Sequence, residues 1–243
     1  MVKNMLGDEF VVAGIREKAL SLGVDLVGFS SLQDDSQYLR DENREFLKNQ
    51  EYRWAISLAQ RISKSACKLL LCRDDPGLLY YFDQHCRNQA SQLDVAAQKL
   101  CLSLEDLGAK AFVVTGLGTA AYANSPKVII SHITQARLAG LGEMGDSGML
   151  ITPEYGPRVR LLTVLTNVPL PCNTTFPSHI CTHCGACQKI CPSHCIHGDH
   201  FNLAEPEKVY TDKSLCEAHR DAQKEKLGIR FCNLCMAVCP IGK

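Results

Sequence analysis

Neither sign of charge is in surplus in this chain of 243 residues: Lys and Arg total 26, Asp and Glu total 26. The general positive excess that holds a nucleic-acid backbone is therefore missing, and only a local basic patch is left to such a partner. No apolar run reaches the roughly 18 residues of a membrane span, so a soluble protein with no membrane partner is expected. The start of the chain lacks a secretory signal, because Met1 to Gly7 have no apolar core and the next segment is amphipathic and charged. A cytoplasmic protein with reduced thiols is the expectation. Apolar residues make up 46% of the chain and charged residues 21%, enough for a sizeable core in one large or two unequal domains.

Cysteine, by contrast, is abundant, with 14 in the chain. Cys181, Cys184, Cys187 and Cys191-Pro192 have the C-x2-C-x2-C-x3-C-P spacing in which three thiolates cap one [4Fe–4S] cluster and the fourth ligates another. Cys232, Cys235 and Cys239-Pro240 repeat C-x2-C-x3-C-P without the first cysteine. Cys216 is the natural substitute, carried back to the cluster on a loop. The two runs resemble a two-cluster bacterial ferredoxin. Crossed ligation assigns Cys181, Cys184, Cys187 and Cys239 to one cluster, and Cys191, Cys216, Cys232 and Cys235 to the other. Zinc is the first alternative, since C-x2-C pairs and five histidines (His179, His183, His194, His197, His200) lie together. Zinc sites use two separated ligand pairs, whereas closely spaced triplets and a Cys-Pro ending in each half suit iron–sulfur clusters. A disulfide framework does not suit a reducing compartment. Cys67, Cys72, Cys86, Cys101, Cys172 and Cys195 are left as buried small apolar residues.

Ahead of these motifs the chain alternates helical and strand patterns. Residues 8 to 22 have helical spacing closed by Gly23, and Val24 to Ser30 is β-branched and bounded like a strand. Residues 33 to 53 are charged and solvated, and Trp54 to Leu58 reads as a second strand. Asp75-Pro76-Gly77 starts a long helix whose stripe is Leu93, Ala96, Ala97, Leu100, Leu104 and Leu107, ending at Gly108. Tyr80, Tyr81 and Phe82 read as core packing or a pocket wall. Ala111 to Thr115 reads as a strand leading to Gly116-Leu117-Gly118, too few glycines for a dinucleotide site. A helix is expected over Pro126 to Leu141 and a strand over Val159 to Thr166. Pro171 to Pro177 marks a linker, giving domains 1–170 and 171–243.

Between that helix and strand stand Gly140, Gly142, Gly145 and Gly148, then Thr152-Pro153-Glu154-Tyr155-Gly156-Pro157-Arg158-Val159-Arg160. Two readings remain open. Glycines admit a close backbone approach to a ligand, and equally a tight bend.

The order of Leu22 to Ser30, Asp75 to Tyr80, Ala139 to Gly142, Leu150 to Arg160, Val164 to Leu170 and the cysteine runs resembles the epoxyqueuosine reductase and reductive dehalogenase superfamily. The resemblance implies an α+β fold, with a nitroreductase-like N-terminal α/β domain holding cobalamin and a ferredoxin-like domain holding two [4Fe–4S] clusters. It implies that Gly140, Gly142, Gly145, Gly148, Thr152, Tyr155, Arg158 and Arg160 line the corrinoid pocket. Relatives have an aromatic residue and a lysine where this chain has Glu143 and Asp146, and a proton-donating aspartate where it has Ala123. Tyr122, next to that position, is the candidate substitute donor. The helical-repeat region with which epoxyqueuosine reductases hold transfer RNA is not expected in a chain that reaches Lys243 directly after the last cysteine motif.

The function implied is a corrinoid-dependent iron–sulfur reductase. It would take electrons from a low-potential donor such as a ferredoxin or flavodoxin and act on a small molecule. The alternatives are a non-catalytic electron-transfer or cobalamin-handling protein and, third, a redox module carrying another cofactor such as a flavin.

Overall fold

The computed structural model describes residues 9–32, 41–72, 75–115, 130–172, 179–198 and 211–242. It is a mixed helix and sheet structure, as the α+β reading expects at that level. The chain divides into two compact units that interleave along the sequence. One comprises residues 1–60, 89–141 and 160–176, and the other residues 61–88, 142–159 and 177–243. The stretches 61–88 and 142–159 thus group with the cysteine-rich end rather than with their sequence neighbours.

The first unit is built on a four-stranded sheet of β1 (Leu26–Ser31), β2 (Trp54–Arg61), β6 (Val159–Thr166) and β3 (Ala111–Val114), in that spatial order. β1 pairs antiparallel with β2, placing Phe29 opposite Ile56, and β3 pairs antiparallel with β6, placing Val113 opposite Val164. Alternation along the strands gives the sheet two faces. Val27, Phe29, Ile56, Leu58, Leu162 and Val164 point to one side. They bury against Ile15 and Ala19 of α1 (Glu9–Ser21) and the stripe Leu93, Ala96, Ala97, Leu100 and Leu104 of α4 (Pro76–Asp106). Asp75 starts α4 by accepting the Gly77 and Leu78 amides at 2.9 and 3.1 Å. Gly108 ends it with φ of 80°. Leu107 lies past the last helical turn and is 58% exposed, so it does not extend the stripe. Tyr80 and Tyr81 are likewise exposed, and only Phe82 of that trio is buried.

Ala55 and Leu165 emerge on the opposite face, where they pack with Leu32, Ile130 and Leu47 of α2 (Asp41–Asn49). α5 (His132–Leu138) packs on β1 there, closely enough that a Cβ at Gly28 would come within 2.9 Å of Ala139 Cβ. The Ser30 hydroxyl donates to Gln135 Oε1 at 2.7 Å in the buried interface. Of the helix expected over Pro126 to Leu141, residues 126–129 lie outside the described residues and His132–Leu138 is helical.

His132 Nδ1 lies 3.0 Å from the Thr163 hydroxyl. Burial pushes the imidazole down to about 4, with a hydrogen bond to the Thr115 backbone pulling the other way. Above the ordinary histidine value near pH 6.5 neither the folded nor the unfolded chain holds the proton. Below it the unfolded chain binds the proton first, so stability falls as pH drops from about 6.5 to about 4. The expected loss is about 3 kcal/mol. Denaturant unfolding of His132→Asn should therefore show a flatter profile than the unsubstituted chain across that window, and parallel profiles would remove this assignment.

The second unit carries the short helices and turns around the cysteines: α3 (Lys64–Lys68), the 3-10 turn Leu69–Leu71, α6 (Ala186–Ile190), α7 (Lys213–Leu227) and α8 (Leu234–Val238). It also holds the hairpin of β4 (Glu143–Met144) and β5 (Leu150–Ile151). Its apolar core gathers Ile62, Cys67, Leu70, Phe82, Cys86, Leu234 and Met236. No helix of the described residues is long and apolar enough to cross a membrane.

Candidate metal centre

The two cysteine runs fold alike, for local reasons. In each, the second residue of a C-x2-C pair takes the left-handed conformation, Gly185 with φ of 70° and Asn233 with φ of 54°. Glycine and asparagine tolerate it best. A single short helix follows, α6 or α8. Each run then meets a proline, which bars the preceding residue from the helical region. Cys191 (φ −65°, ψ 113°) and Cys239 (φ −63°, ψ 125°) are extended accordingly. α6 packs on α8, so each chain end leaves its own helix toward the other half.

That exit determines how the thiols group. Cys239 lies near enough to Cys181 and Cys184 for their charges to act on it. One open space is lined by Cys181, Cys184, Cys187 and Cys239, with Cys235, Asp146 and Ile151 also on its wall. Cys232 in turn feels Cys216 and Cys191. Cys235 feels Cys232, Cys216 and Cys187. Cys187, Cys216 and Cys235 pack against the buried Cys191 and Cys195. Cys216 arrives on a helix, not a loop: it lies one turn into α7, which Asp212 caps by accepting the Ser214 and Leu215 amides at 2.9 and 3.2 Å. An open space beside Cys232 is walled by Leu70, Leu79, Phe231 and Leu234, with His219 and Gln223 at its edge.

Cys187 and Cys235 are poor thiolates on their own. Burial pushes Cys187 up to about 11 and Cys235 up to about 12, and neighbouring sulfurs push in the same direction. Crowded buried sulfurs need a cation to carry their charge, and an all-sulfur donor set suits iron–sulfur clusters or another soft metal. The residues present fit that chemistry.

Two acidic residues outside the expected ligand set reach the first group. Glu143 accepts the Cys181 amide through Oε1. Asp146, 5% exposed, holds His183 Nδ1 at 2.8 Å. Asp146, Cys181 and His183 place ligand atoms within 4.8 Å of one another. Neither acidic residue has a spacing in the sequence that marks it as part of the site. Arg158, 2% exposed, donates to the carbonyls of Cys239, Ile241 and Gly242 at 3.1, 2.7 and 2.9 Å. Gly156 and Gly242 let the two backbones touch, since a Cβ on either would collide with the other strand's main chain.

The remaining residues assigned to a corrinoid are placed as follows. A Cβ at Gly142 would collide with the Ile151 carbonyl, one at Gly145 would lie 2.6 Å from Ile151 Cγ1, and one at Gly148 would lie 3.1 Å from Thr211 Oγ1. The close approach these three permit is to the chain itself. The Thr152 hydroxyl donates to the Gly156 carbonyl and accepts the Tyr155 amide, both at 3.1 Å. Gly140, with φ of 75°, follows the end of α5. Arg160, at the start of β6, keeps a buried Nε without a hydrogen-bond partner. Tyr122 lies outside the described residues.

Residues 180–242 match the family described as "4Fe-4S double cluster binding domain". Epoxyqueuosine reductase of Listeria monocytogenes is 32% identical over 117 residues, which is 47% of this chain and 30% of that protein. Tetrachloroethene reductive dehalogenase of Sulfurospirillum multivorans is 33% identical over 114 residues, 43% of this chain and 22% of that one. The chain thus spans less than a third of the length of these curated relatives. Among solved structures, a catabolic reductive dehalogenase superposes with a TM-score of 0.70 at 17% identity, covering 98% of this chain and 32% of the other. Epoxyqueuosine reductase of Streptococcus thermophilus gives 0.53 at 17% identity, covering 94% and 65%. In sequence and in fold the chain is thus similar to epoxyqueuosine reductases and reductive dehalogenases, and its residues 180–242 match a 4Fe-4S double cluster binding domain.

Proposed function

We propose that this chain holds two [4Fe–4S] clusters by crossed ligation and carries low-potential electrons to a corrinoid for reductive chemistry on a small substrate. The observation that carries the reading is that Cys239 lines one space with Cys181, Cys184 and Cys187, while Cys216 packs against Cys191. Each cluster, when bound, takes up and returns one electron. Around them the chain's residues exclude water and fix the sulfurs. Burial of Cys191, Leu234 and Met236 removes solvent, while Arg158 anchors the backbone at Cys239. The open space beside Cys232 supports electron entry on that side, from a ferredoxin or flavodoxin.

Support for a corrinoid comes from the relatives, one of whose structures is described in terms of B12-dependent dehalogenation. A corrinoid supplies a cobalt centre that acts on carbon–halogen or carbon–oxygen bonds. The fit to this chain is narrower than the sequence pattern implies. Gly142, Gly145, Gly148, Thr152 and Arg158 are engaged by the chain itself, while the free Nε of Arg160 is a donor that a ligand carbonyl could take. Tyr122 is retained as the proposed proton donor. The engagement of those five residues favours the second reading, an electron-transfer or cobalamin-handling protein with no substrate of its own.

Anaerobic reconstitution with iron and sulfide, with and without cobalamin, tests both readings. About eight irons per chain and two reducible signals are expected by EPR. A Co(II) signal on adding cobalamin supports the corrinoid reading, and its absence at every concentration overturns it. Stoichiometric zinc retained in place of iron overturns the clusters themselves.

A further inference from the structure

Cys195 stands outside the eight-cysteine pattern, yet it lies inside the second thiol group. Its Sγ is 3.4 Å from Cys191 Sγ, and it is 3% exposed. The position follows from the turn after Cys191. Pro192 breaks the helix, His194 takes a left-handed φ of 49°, and its amide returns to the Cys191 carbonyl at 3.2 Å. The chain folds back and sets Cys195 over the sulfur it has just passed. Its backbone is then held from the other side, where the Asp212 amide donates to the Cys195 carbonyl at 2.8 Å and Ile196 bridges to Thr211. A second donor faces the same sulfur: Ser193 Oγ lies 3.5 Å from Cys191 Sγ.

The likeness of the two halves shows what is special here. Cys184, Cys187 and Cys191 correspond in spacing to Cys232, Cys235 and Cys239. The residue two beyond the final cysteine is Ser193 in one half and Ile241 in the other, so side-chain donors gather on Cys191 and the corresponding position beside Cys239 carries none. Reduction adds negative charge that is shared by the ligand sulfurs, and hydrogen bonds to those sulfurs stabilise it against the penalty of burial.

We propose that Cys195 is a positioning residue rather than a ligand: its S–H donates to the Cys191 sulfur and, with Ser193, raises the reduction potential of the cluster held by Cys191, Cys216, Cys232 and Cys235. The inference rests on the cluster reading above. The thiol keeps its proton throughout, no bond is made or broken, and the single electron comes from the external low-potential donor.

The test uses the full chain reconstituted anaerobically, with Cys195→Ala, Cys195→Ser and Ser193→Ala beside it, iron counted and each cluster titrated against potential by EPR. All four proteins should hold about eight irons. In Cys195→Ala one cluster should shift to lower potential, its ratio of reduced to oxidised form at fixed potential falling about fivefold, as loss of one hydrogen bond implies. The other cluster should stay in place. Ser193→Ala should move the same cluster in the same direction, and Cys195→Ser, which keeps a donor, should recover most of the shift. Two unchanged potentials in Cys195→Ala with all the iron present overturn the inference. Loss of about half the iron in that variant also overturns it, because Cys195 would then be a ligand. An unsubstituted chain that never loads two clusters defeats the cluster reading instead, so the two failures are told apart.

Discussion

Arg158→Ala is expected to destabilise the second unit by about 3–5 kcal/mol and to release iron from the cluster proposed to bind Cys239. The guanidinium is 2% exposed and spends its donors on three carbonyls in the four residues from Cys239 to Gly242. Removing it leaves those carbonyls without a donor in a buried space, and it leaves a cavity where a large, fully buried side chain had been. The charge matters as well as the geometry. Burial pushes the Cys239 thiol up, and the Arg158 guanidinium opposes that shift, favouring the thiolate that iron requires. Arg158→Lys keeps the charge and loses the planar fork, so it should fall between the two. Denaturant unfolding followed by fluorescence, with iron counted on the same samples, checks the expectation. An unfolding midpoint and iron content equal to those of the unsubstituted chain would show that Arg158 does not anchor the segment.

Local signals in the sequence account for most elements, and long-range partners account for what it conceals. Asp75 and Gly108 bracket α4 because capping and left-handed geometry are properties of single residues. The Cys-Pro pairs are informative for the same reason: proline alone forces Cys191 and Cys239 to leave their helices extended. Nothing local says that β6 lies between β2 and β3, since alternation marks a strand without naming its neighbour. The stretches 61–88 and 142–159 carry no compositional mark of the unit they join. Glu143 meets Cys181 across 38 residues, and Arg158 meets Gly242 across 84, so neither contact has a spacing to read. The four glycines suit a ligand approach and a bend equally well. Three of them, Gly142, Gly145 and Gly148, lie against Ile151 or Thr211, contacts made only once the hairpin and the start of α7 are in place.

Cys216→Ala should halve the metal content, taking the chain from about eight irons to about four. Cys216 is the one ligand proposed outside both C-x2-C runs, and its place depends on a different part of the chain. The Asp212 cap and the bridge between Ile196 and Thr211 bring the first turn of α7 alongside Cys191. The thiol then acts electrostatically on both Cys232 and Cys235. Cys181, Cys184, Cys187 and Cys239 do not depend on it, so the EPR signal of their cluster should survive while the other is lost. The nearby Cys195 sharpens the test, because a fifth thiol in the group offers a substitute ligand. If Cys195 stays fixed by its backbone bond to Asp212 and by its contact with Cys191, Cys216→Ala cannot recruit it and the loss stands. The double variant Cys216→Ala, Cys195→Ala should then match Cys216→Ala alone in iron content. A full complement of iron in Cys216→Ala that falls only when Cys195 is also removed would mean that the two thiols exchange places, and undiminished iron in both variants would remove Cys216 from the ligand set.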